Sequence, residues 1–148
     1  MILLVEDNED DIFFMQRAAK SSGIEATMVV AQNGQAAIDY LSGTGEYADR
    51  ARFPYPTLIF LDLKMPLRSG LEVLEWIRTQ PPLQTLLVLI LTTSREESDV
   101  ERAYRLGANS FLVKPPSIEE LNDLMRLVKE YWLDNPQLAV AGLPVWKG

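Results

Sequence analysis

The stretch that most constrains the fold of this chain is the apolar run Leu58-Ile59-Phe60-Leu61, which stops at Asp62 and is followed by Pro66. An apolar run without polar alternation predicts a short β-strand that is buried on both faces and whose last residue emerges into a loop. In open parallel α/β sheets the loops that leave the carboxyl ends of the strands form the reactive crevice, so Asp62 is placed for chemistry. The alternative is a loop aspartate that only turns the chain, and the other strand ends decide between the two.

The rest of the chain alternates between short apolar segments and helical patterns. The other predicted strands cover residues 2–5, 26–30, 86–91 and 111–113. Apolar periodicity and capping residues predict helices that begin near Asn8, Gln35, Ser69, the Ser98-x-x-Glu101 pattern and Ser117 and end by Gly23, Gly43, Pro81, Gly107 and Trp132. Five strands that alternate with five helices predict an α/β fold: a doubly wound five-stranded parallel sheet with helices on both faces. We expect the strand order 2-1-3-4-5, which is one of the two common doubly wound orders. We expect one domain over residues 1–133 and a tail over residues 134–148.

Two segments fall outside this alternation. Residues 42–56 are polar and rich in glycine and proline, which predicts a long surface loop with Arg50 and Arg52 on a solvated face. The tail contains the apolar stretch 138–146, which would form an unusual hydrophobic patch if it were exposed. We therefore expect a homodimer built on the fourth helix, fifth strand and fifth helix and extended by the tail. The alternative is a tail that folds back over helices of its own chain.

Composition removes several classes of function. The 148 residues contain no cysteine and no histidine, which excludes disulfides, thiolate metal sites and the usual general base. A net charge of −7 without a basic stripe argues against nucleic-acid binding. No apolar run is long enough for a membrane helix, and the first residues lack the basic region of a signal peptide, so we expect a cytoplasmic location.

Polar residues stand at the ends of four predicted strands. They are the pair Glu6-Asp7, Asp62, Thr92 and Lys114. In the sheet order 2-1-3-4-5 these ends are neighbours and share one crevice. Carboxylates packed together need a cation between them, and Mg²⁺ is the natural candidate because hard divalent ions prefer oxygen ligands. An amine and a hydroxyl beside the acids suit phosphoryl chemistry, in which Asp62 would be the nucleophile that forms an acyl phosphate.

With these residues in place, the sequence resembles the receiver domains of two-component response regulators over roughly residues 2–132. The matching motifs are Glu6-Asp7, the segment Asp62-Leu63-Lys64-Met65-Pro66 followed by Gly70, then Thr92, Gly107-Ala108 and Lys114-Pro115. The resemblance implies that Asp62 is the phosphoacceptor and that Thr92 and Lys114 contact the phosphoryl group. It also implies that Glu6, Asp7, Asp62 and the backbone carbonyl of Lys64 bind magnesium.

The resemblance carries further expectations. Phe111 falls at the family's aromatic switch position, although it lacks the hydroxyl of the more frequent tyrosine. A cis peptide bond is expected at Lys114-Pro115. The long loop before Pro56 and the segment 130–133 resemble the small stand-alone receivers that serve bacterial phytochromes and related sensor histidine kinases.

The function implied is a signalling switch rather than an enzyme. Asp62 would accept a phosphoryl group from the phosphohistidine of a sensor kinase, and the output would pass through protein–protein contacts because no DNA-binding domain is expected. One alternative is an aspartyl-nucleophile phosphatase, but such enzymes need a second acid where Lys64 stands. The other is a flavodoxin-like flavin binder, but acids replace the phosphate-binding loop after the first strand.

Overall fold

A five-stranded parallel sheet of order β2-β1-β3-β4-β5 forms the centre of the computed structural model, which describes residues 1–134. The strands are β1 (Ile2–Val5), β2 (Met28–Ala31), β3 (Leu58–Leu61), β4 (Leu87–Thr92) and β5 (Ser110–Val113). The helices are α1 (Glu9–Ser21), α2 (Gly34–Ser42), α3 (Gly70–Thr79), α4 (Glu97–Arg105) and α5 (Ile118–Val128). The predicted sheet order is confirmed.

The helices begin mostly where capping residues predict. The side chains of Asn8, Asn33, Ser69 and Ser117 each accept a hydrogen bond from the backbone N–H three residues later, at 2.9, 2.7, 3.3 and 3.1 Å. Such a bond satisfies a helix N–H group that has no partner within the helix. The predicted start of the fourth helix at Ser98 is wrong. The helix begins at Glu97, and Ser94 meets its first turn instead, with Oγ 2.6 Å from Oδ2 of Asp99.

Strands β2, β4 and β5 differ from the prediction by one or two residues at five of their ends. The second strand starts at Met28 rather than at residue 26, because Met28 pairs with Ile2, the first residue of β1. The fourth strand extends to Thr92, which pairs with Val113 at the end of β5. Pairing with the neighbouring strand, which hydrophobicity alone does not encode, therefore sets these ends.

The two faces of the sheet form separate cores because side chains alternate along each strand. Leu61 and Ile90 belong to the core that α2 and α3 cover, together with Ala103 of α4. Phe60 and Leu91 belong to the core that α1 and α5 cover. The expectation of helices on both faces is confirmed, and the carboxyl ends of the strands remain uncovered at one edge.

The loop between α2 and β3 is ordered, which corrects the expectation of an irregular loop with Arg50 in solvent. Gly45–Ala48 form a 3-10 turn. The Arg50 guanidinium donates hydrogen bonds to the carbonyl oxygens of Tyr40 and Leu41, both at 2.8 Å. Its Cζ atom lies 4.1 Å from the centre of the Tyr55 ring. The carbonyl groups at the end of α2 lack partners within the helix, and Arg50 supplies the donors.

The predicted final helix is interrupted. Helix α5 ends at Val128, and a π-helical turn, Lys129–Leu133, follows and buries Trp132. The tail stretch 138–146 and its predicted role in dimerisation lie outside the described residues. Within residues 1–134, every helix is too short or too polar to cross a bilayer.

Candidate functional site

The carboxyl ends of four strands meet at one edge of the sheet. Val5 of β1 is paired with Leu61 of β3, so the residues that follow, Glu6 and Asp62, leave the sheet side by side. Leu61 is paired with Ile90 of β4, and Thr92 therefore lies one position further along this edge than Asp62. The predicted convergence of strand ends is present in the structure.

Three carboxylates at this edge could hold a metal ion. Glu6, Asp7 and Asp62 each offer an oxygen atom, and these atoms lie within 4.8 Å of one another. Glu6 and Asp62 are 2% and 8% exposed, whereas Asp7 is exposed to solvent. Oxygen ligands about 2.1 Å from a magnesium ion lie about 3 to 4 Å apart, so the cluster fits a hard divalent cation. The carbonyl of Lys64, on the loop after Asp62, accepts no hydrogen bond from residues 1–134, which leaves its oxygen free to bind a cation.

Lys114 places its ammonium group among the acids. Nζ contacts Oε1 of Glu6 directly, and it lies 2.9 Å from Oδ2 of Asp11 and 3.3 Å from Oδ2 of Asp62. The Lys114 side chain is only 12% exposed. Burial alone would lower the pKa of Lys114, but hydrogen bonds to Glu6 and Asp11 and the charge of Asp62 raise it above its ordinary value. Lys114 is therefore a permanent positive charge in the pocket.

Glu6 is the most buried acid of the site. Its Oε2 atom accepts backbone N–H bonds from Asp7 and Asn8, at 3.1 and 3.2 Å, while Oε1 contacts Lys114. Burial raises the pKa of Glu6 to about 7, and the charge of Asp62 adds to this shift although Lys114 opposes it. Burial therefore favours the protonated form of Glu6 up to a higher pH than for an exposed glutamate.

Asp11 is the site residue that the sequence analysis does not predict. It lies in the first turn of α1, where an acid is already explained by the helix dipole. The structure turns this carboxylate towards Lys114, and it lines a groove with Phe14 and Pro115. The only sequence signal is the spacing of Asp11 after the Asn8 cap, which places both on one side of the helix start.

Thr92 and Phe111 lie on the same face of the sheet. The Thr92 side chain is fully buried, and its Oγ1 accepts a bond from the Ser94 N–H at 3.4 Å. Phe111 is half-buried and packs against the core below α2, α3 and α4, and its N–H donates to the Tyr104 hydroxyl at 3.0 Å. Within residues 1–134 the Thr92 hydroxyl makes no hydrogen bond with Asp62, so Thr92 lies near the acids without joining their network.

The expected cis peptide bond at Lys114-Pro115 is absent: every peptide bond of the described residues 1–134 is trans. The cis and trans forms before proline differ by only about 0.5–1 kcal/mol, so local packing decides between them. Here the Lys114 N–H donates to the Thr92 carbonyl at 2.8 Å, and the trans chain already brings Nζ to the acids.

Gly70 fixes the loop that carries Asp62. A Cβ atom at this position would lie 2.1 Å from the carbonyl oxygen of Asp62. The Gly70 N–H donates to the Leu63 carbonyl at 2.9 Å, which closes the loop at its base. Glycine is therefore required where α3 meets the end of β3.

Known proteins share this architecture. The family model of the response regulator receiver domain matches residues 2–126. Response regulator Rcp1 of Synechocystis sp. is 36% identical over 141 residues, which are 95% of this chain and 94% of Rcp1. The crystal structure of the Mn²⁺-bound form of Rcp1 superimposes with a TM-score of 0.81 at 36% identity, over 90% of this chain and 94% of that chain. The crystal structure of the phosphorylated cyanobacterial phytochrome response regulator RcpA gives 0.83 at 36% identity, over 90% and 93%.

Proposed function

Because the chain belongs to the response regulator receiver domain family, we propose that it is a phosphorylation switch whose phosphoacceptor is Asp62. Receiver domains are signalling switches that bind a divalent metal and accept a phosphoryl group from a histidine kinase. The observation that carries the assignment is the position of Asp62, which is 8% exposed, lies 3.3 Å from Lys114 and shares a cluster with Glu6 and Asp7. Family membership gives no support to the phosphatase or the flavin binder.

The proposed transfer step uses only groups at this edge of the sheet. A carboxylate oxygen of Asp62 attacks the phosphorus of the donor phosphohistidine. The bond between phosphorus and the imidazole nitrogen breaks, and the nitrogen keeps its electron pair. The product is an acyl phosphate on Asp62. Water later attacks its phosphorus, the bond between phosphorus and the Asp62 oxygen breaks, and inorganic phosphate leaves while the oxygen keeps the electron pair and restores the carboxylate.

Mg²⁺ is the proposed cofactor. Glu6, Asp7, Asp62 and the Lys64 carbonyl would hold it, and the Mn²⁺-bound form of Rcp1 supports a divalent ion in this family. When bound, the ion supplies positive charge to the phosphoryl oxygens. Hard oxygen ligands favour magnesium over softer metals.

Lys114 and Thr92 are the proposed phosphoryl contacts. The Lys114 ammonium already reaches Asp62, so a small shift of Nζ would bring it to a phosphoryl oxygen. Thr92 lies one position further along the same edge, where its hydroxyl can donate to that group. Phe111, on the same face, is the proposed aromatic switch because it packs beneath α4 and can follow a movement of Thr92.

The proposed partners are a sensor histidine kinase, a bacterial phytochrome in particular, and a second copy of the chain. The phytochrome assignment is supported by the similarity to RcpA. The dimer would use α4, β5 and α5, where Tyr104 and Leu127 are 49% and 61% exposed. We infer that residues 1–133 form the receiver domain and that residues 134–148 are a C-terminal tail.

Acetyl phosphate provides the test of the phosphoacceptor. With Mg²⁺ it is expected to add one phosphoryl group that hydroxylamine removes, as read by intact-protein mass spectrometry. Asp62→Asn is expected to abolish the addition, and the exposed-site control Asp123→Asn is expected to label like the parent. Labelling that persists in Asp62→Asn would refute the assignment.

The dimer has a separate test. Truncation after Leu133 is expected to weaken association in sedimentation velocity, measured with and without phosphorylation. The acyl-phosphate assignment does not depend on this outcome. Association that is unchanged by truncation would exclude the tail as a dimer element.

A further inference from the structure

The loop between β3 and α3 contains one strained residue. Leu67 has a φ of +69°, and it is the only non-glycine residue with positive φ in the described part of the chain. The Arg68 N–H donates to the Pro66 carbonyl at 2.8 Å across Leu67. Positive φ together with this short hydrogen bond is the pattern of the classic γ-turn, which is rare and strained. Leucine is poorly suited to it, because in this conformation Cβ approaches the following carbonyl oxygen.

The surrounding structure imposes this conformation. The Gly70 N–H donates to the Leu63 carbonyl and closes the base of the loop. On the other side, a Cβ atom at Gly34 would lie 2.2 Å from the Arg68 carbonyl oxygen, so α2 packs directly on the loop. Arg68 also donates from Nε to Oε1 of Gln35 at 2.9 Å. Strain persists where neighbouring contacts over-determine the backbone, and these contacts do so.

The Leu67 side chain contributes little to the fold in return. It is 77% exposed, the highest value among the exposed large hydrophobic residues of the described chain. Glycine or asparagine would suit the backbone better, and a polar side chain would suit the solvent better. An exposed apolar side chain in a strained turn beside the phosphoacceptor therefore calls for a role in binding.

Other exposed apolar side chains surround the same edge of the sheet. Phe14 and Ile118, 36% and 49% exposed, line a groove of about 400 Å³ with Lys114, Pro115 and Pro116. The acidic pocket is therefore framed by apolar groups. A small phosphodonor contacts only the acidic pocket, whereas a protein donor must also contact the apolar side chains around it.

The geometry points to Leu67 as a specificity-determining residue, whose side chain is buried by the phosphohistidine-bearing protein that transfers to Asp62. This inference rests on the proposed function, since it requires Asp62 to be the acceptor. Burial of a leucine side chain at a contact corresponds to about a tenfold effect on transfer at limiting protein concentration. Transfer from a small molecule has no such contact.

The test compares two phosphodonors on the same variants. The protein donor is the purified, autophosphorylated sensor kinase that transfers fastest to the parent chain in a profile of the source organism's kinases. The small donor is acetyl phosphate. The variants are Leu67→Gly, which relieves the backbone, Leu67→Asn, which is polar and tolerates positive φ, and Leu67→Met, which keeps an apolar side chain. Tyr55→Gln removes an exposed aromatic side chain from the loop before the amino end of β3, at the opposite edge of the sheet, as the matched control.

Leu67→Gly and Leu67→Asn are expected to lose about tenfold in kcat/KM for transfer from the kinase. Their labelling by acetyl phosphate is expected to stay within twofold, and their Tm is expected to equal or exceed that of the parent. Leu67→Met and the control are expected to transfer like the parent.

Three results would overturn the inference. The first is kinase transfer within twofold of the parent for both Leu67→Gly and Leu67→Asn. The second is an equal loss with both donors, which would mean that the side chain shapes the pocket. The third is a parent chain that labels with acetyl phosphate but accepts from no kinase in the profile. A parent that acetyl phosphate does not label contradicts the proposed function itself.

Discussion

Lys114→Met, measured without metal, tests how the pocket neutralises its charge. The variant keeps the length of the side chain and removes the ammonium group that contacts Glu6, Asp11 and Asp62. We expect the free energy of unfolding at pH 8 to fall by about 2–3 kcal/mol, because the change leaves buried carboxylate charge without a partner.

The magnitude follows from the burial of each pair. The contact between Lys114 and Glu6 joins side chains that are 12% and 3% exposed, and loss of one partner from such a pair typically costs about 3–5 kcal/mol. Asp11 is 39% exposed, so its pair adds at most about 1 kcal/mol. Glu6 limits the total because it can take up a proton: burial already raises its pKa to about 7, and loss of Lys114 raises it further. The expected cost therefore lies below the usual range for a buried pair.

The raised pKa of Glu6 also makes the stability loss of Lys114→Met depend on pH. A carboxyl group whose pKa is higher in the folded state than in the unfolded state lowers the free energy of unfolding at high pH. This cost shrinks as the pH falls through the folded-state pKa. Glu6 has the higher pKa in the variant, so the variant recovers stability relative to the parent between pH 8 and pH 6. Urea denaturation in EDTA at both pH values measures the effect, with the exposed Lys20→Met as a control that is expected to change stability by less than about 0.5 kcal/mol. A loss below about 1 kcal/mol at pH 8, or an equal loss at pH 6, would refute the reasoning.

Three further predictions concern the same fold. Asp62→Ala is expected to raise the Tm in EDTA by about 2–4 °C by relieving repulsion with Glu6, and a lower Tm would contradict a crowded acidic pocket. Mg²⁺ is expected to raise the Tm of the parent and to raise the Tm of Asp7→Ala by less. Because a proton on Glu6 competes with the ion, the Mg²⁺ dissociation constant is expected to rise up to about tenfold per pH unit below pH 7. A dissociation constant that stays the same from pH 7 to pH 5 would argue against Glu6 as a ligand. Arg78→Ala is expected to lower the free energy of unfolding by about 3 kcal/mol in urea denaturation, because the guanidinium donates hydrogen bonds to four oxygen atoms of neighbouring segments. A comparable loss in the exposed control Arg126→Ala would show that charge alone matters.

Much of the fold and of the candidate site could be predicted from the sequence because each strand end coincides with a change from apolar to polar residues. Buried strands are apolar until the chain leaves the sheet, so Asp62, Thr92 and Lys114 stand out as the first polar residues after such runs. The rule that parallel strands present their carboxyl ends at one edge then brings these residues together. Spacing along the chain carries this information, and the sheet of order 2-1-3-4-5 confirms it.

The features that sequence analysis missed depend on contacts between distant segments. Asp11 already had a local explanation as a first-turn acid, so its pairing with Lys114 left no separate signal. Arg50 looked like a loop cation, but it caps the end of α2 through backbone carbonyls, which every residue possesses. The trans bond at Pro115 could not be foreseen because the two isomers differ so little in energy. Leu67 is ordinary as a residue, and only its φ reveals the strain.

The charge balance of the pocket connects its stability with its function. Four carboxylates, those of Glu6, Asp7, Asp11 and Asp62, surround the single ammonium of Lys114. A proton on Glu6 would relieve part of this excess and a divalent cation bound there would relieve more, so we expect the two to compete. A phosphoryl donor brings further negative charge into the pocket, and a proton on Glu6 offsets only one unit of that charge. Labelling of Asp62 should therefore depend on metal most steeply above pH 7, where the proton is gone and the pocket repels the donor most strongly.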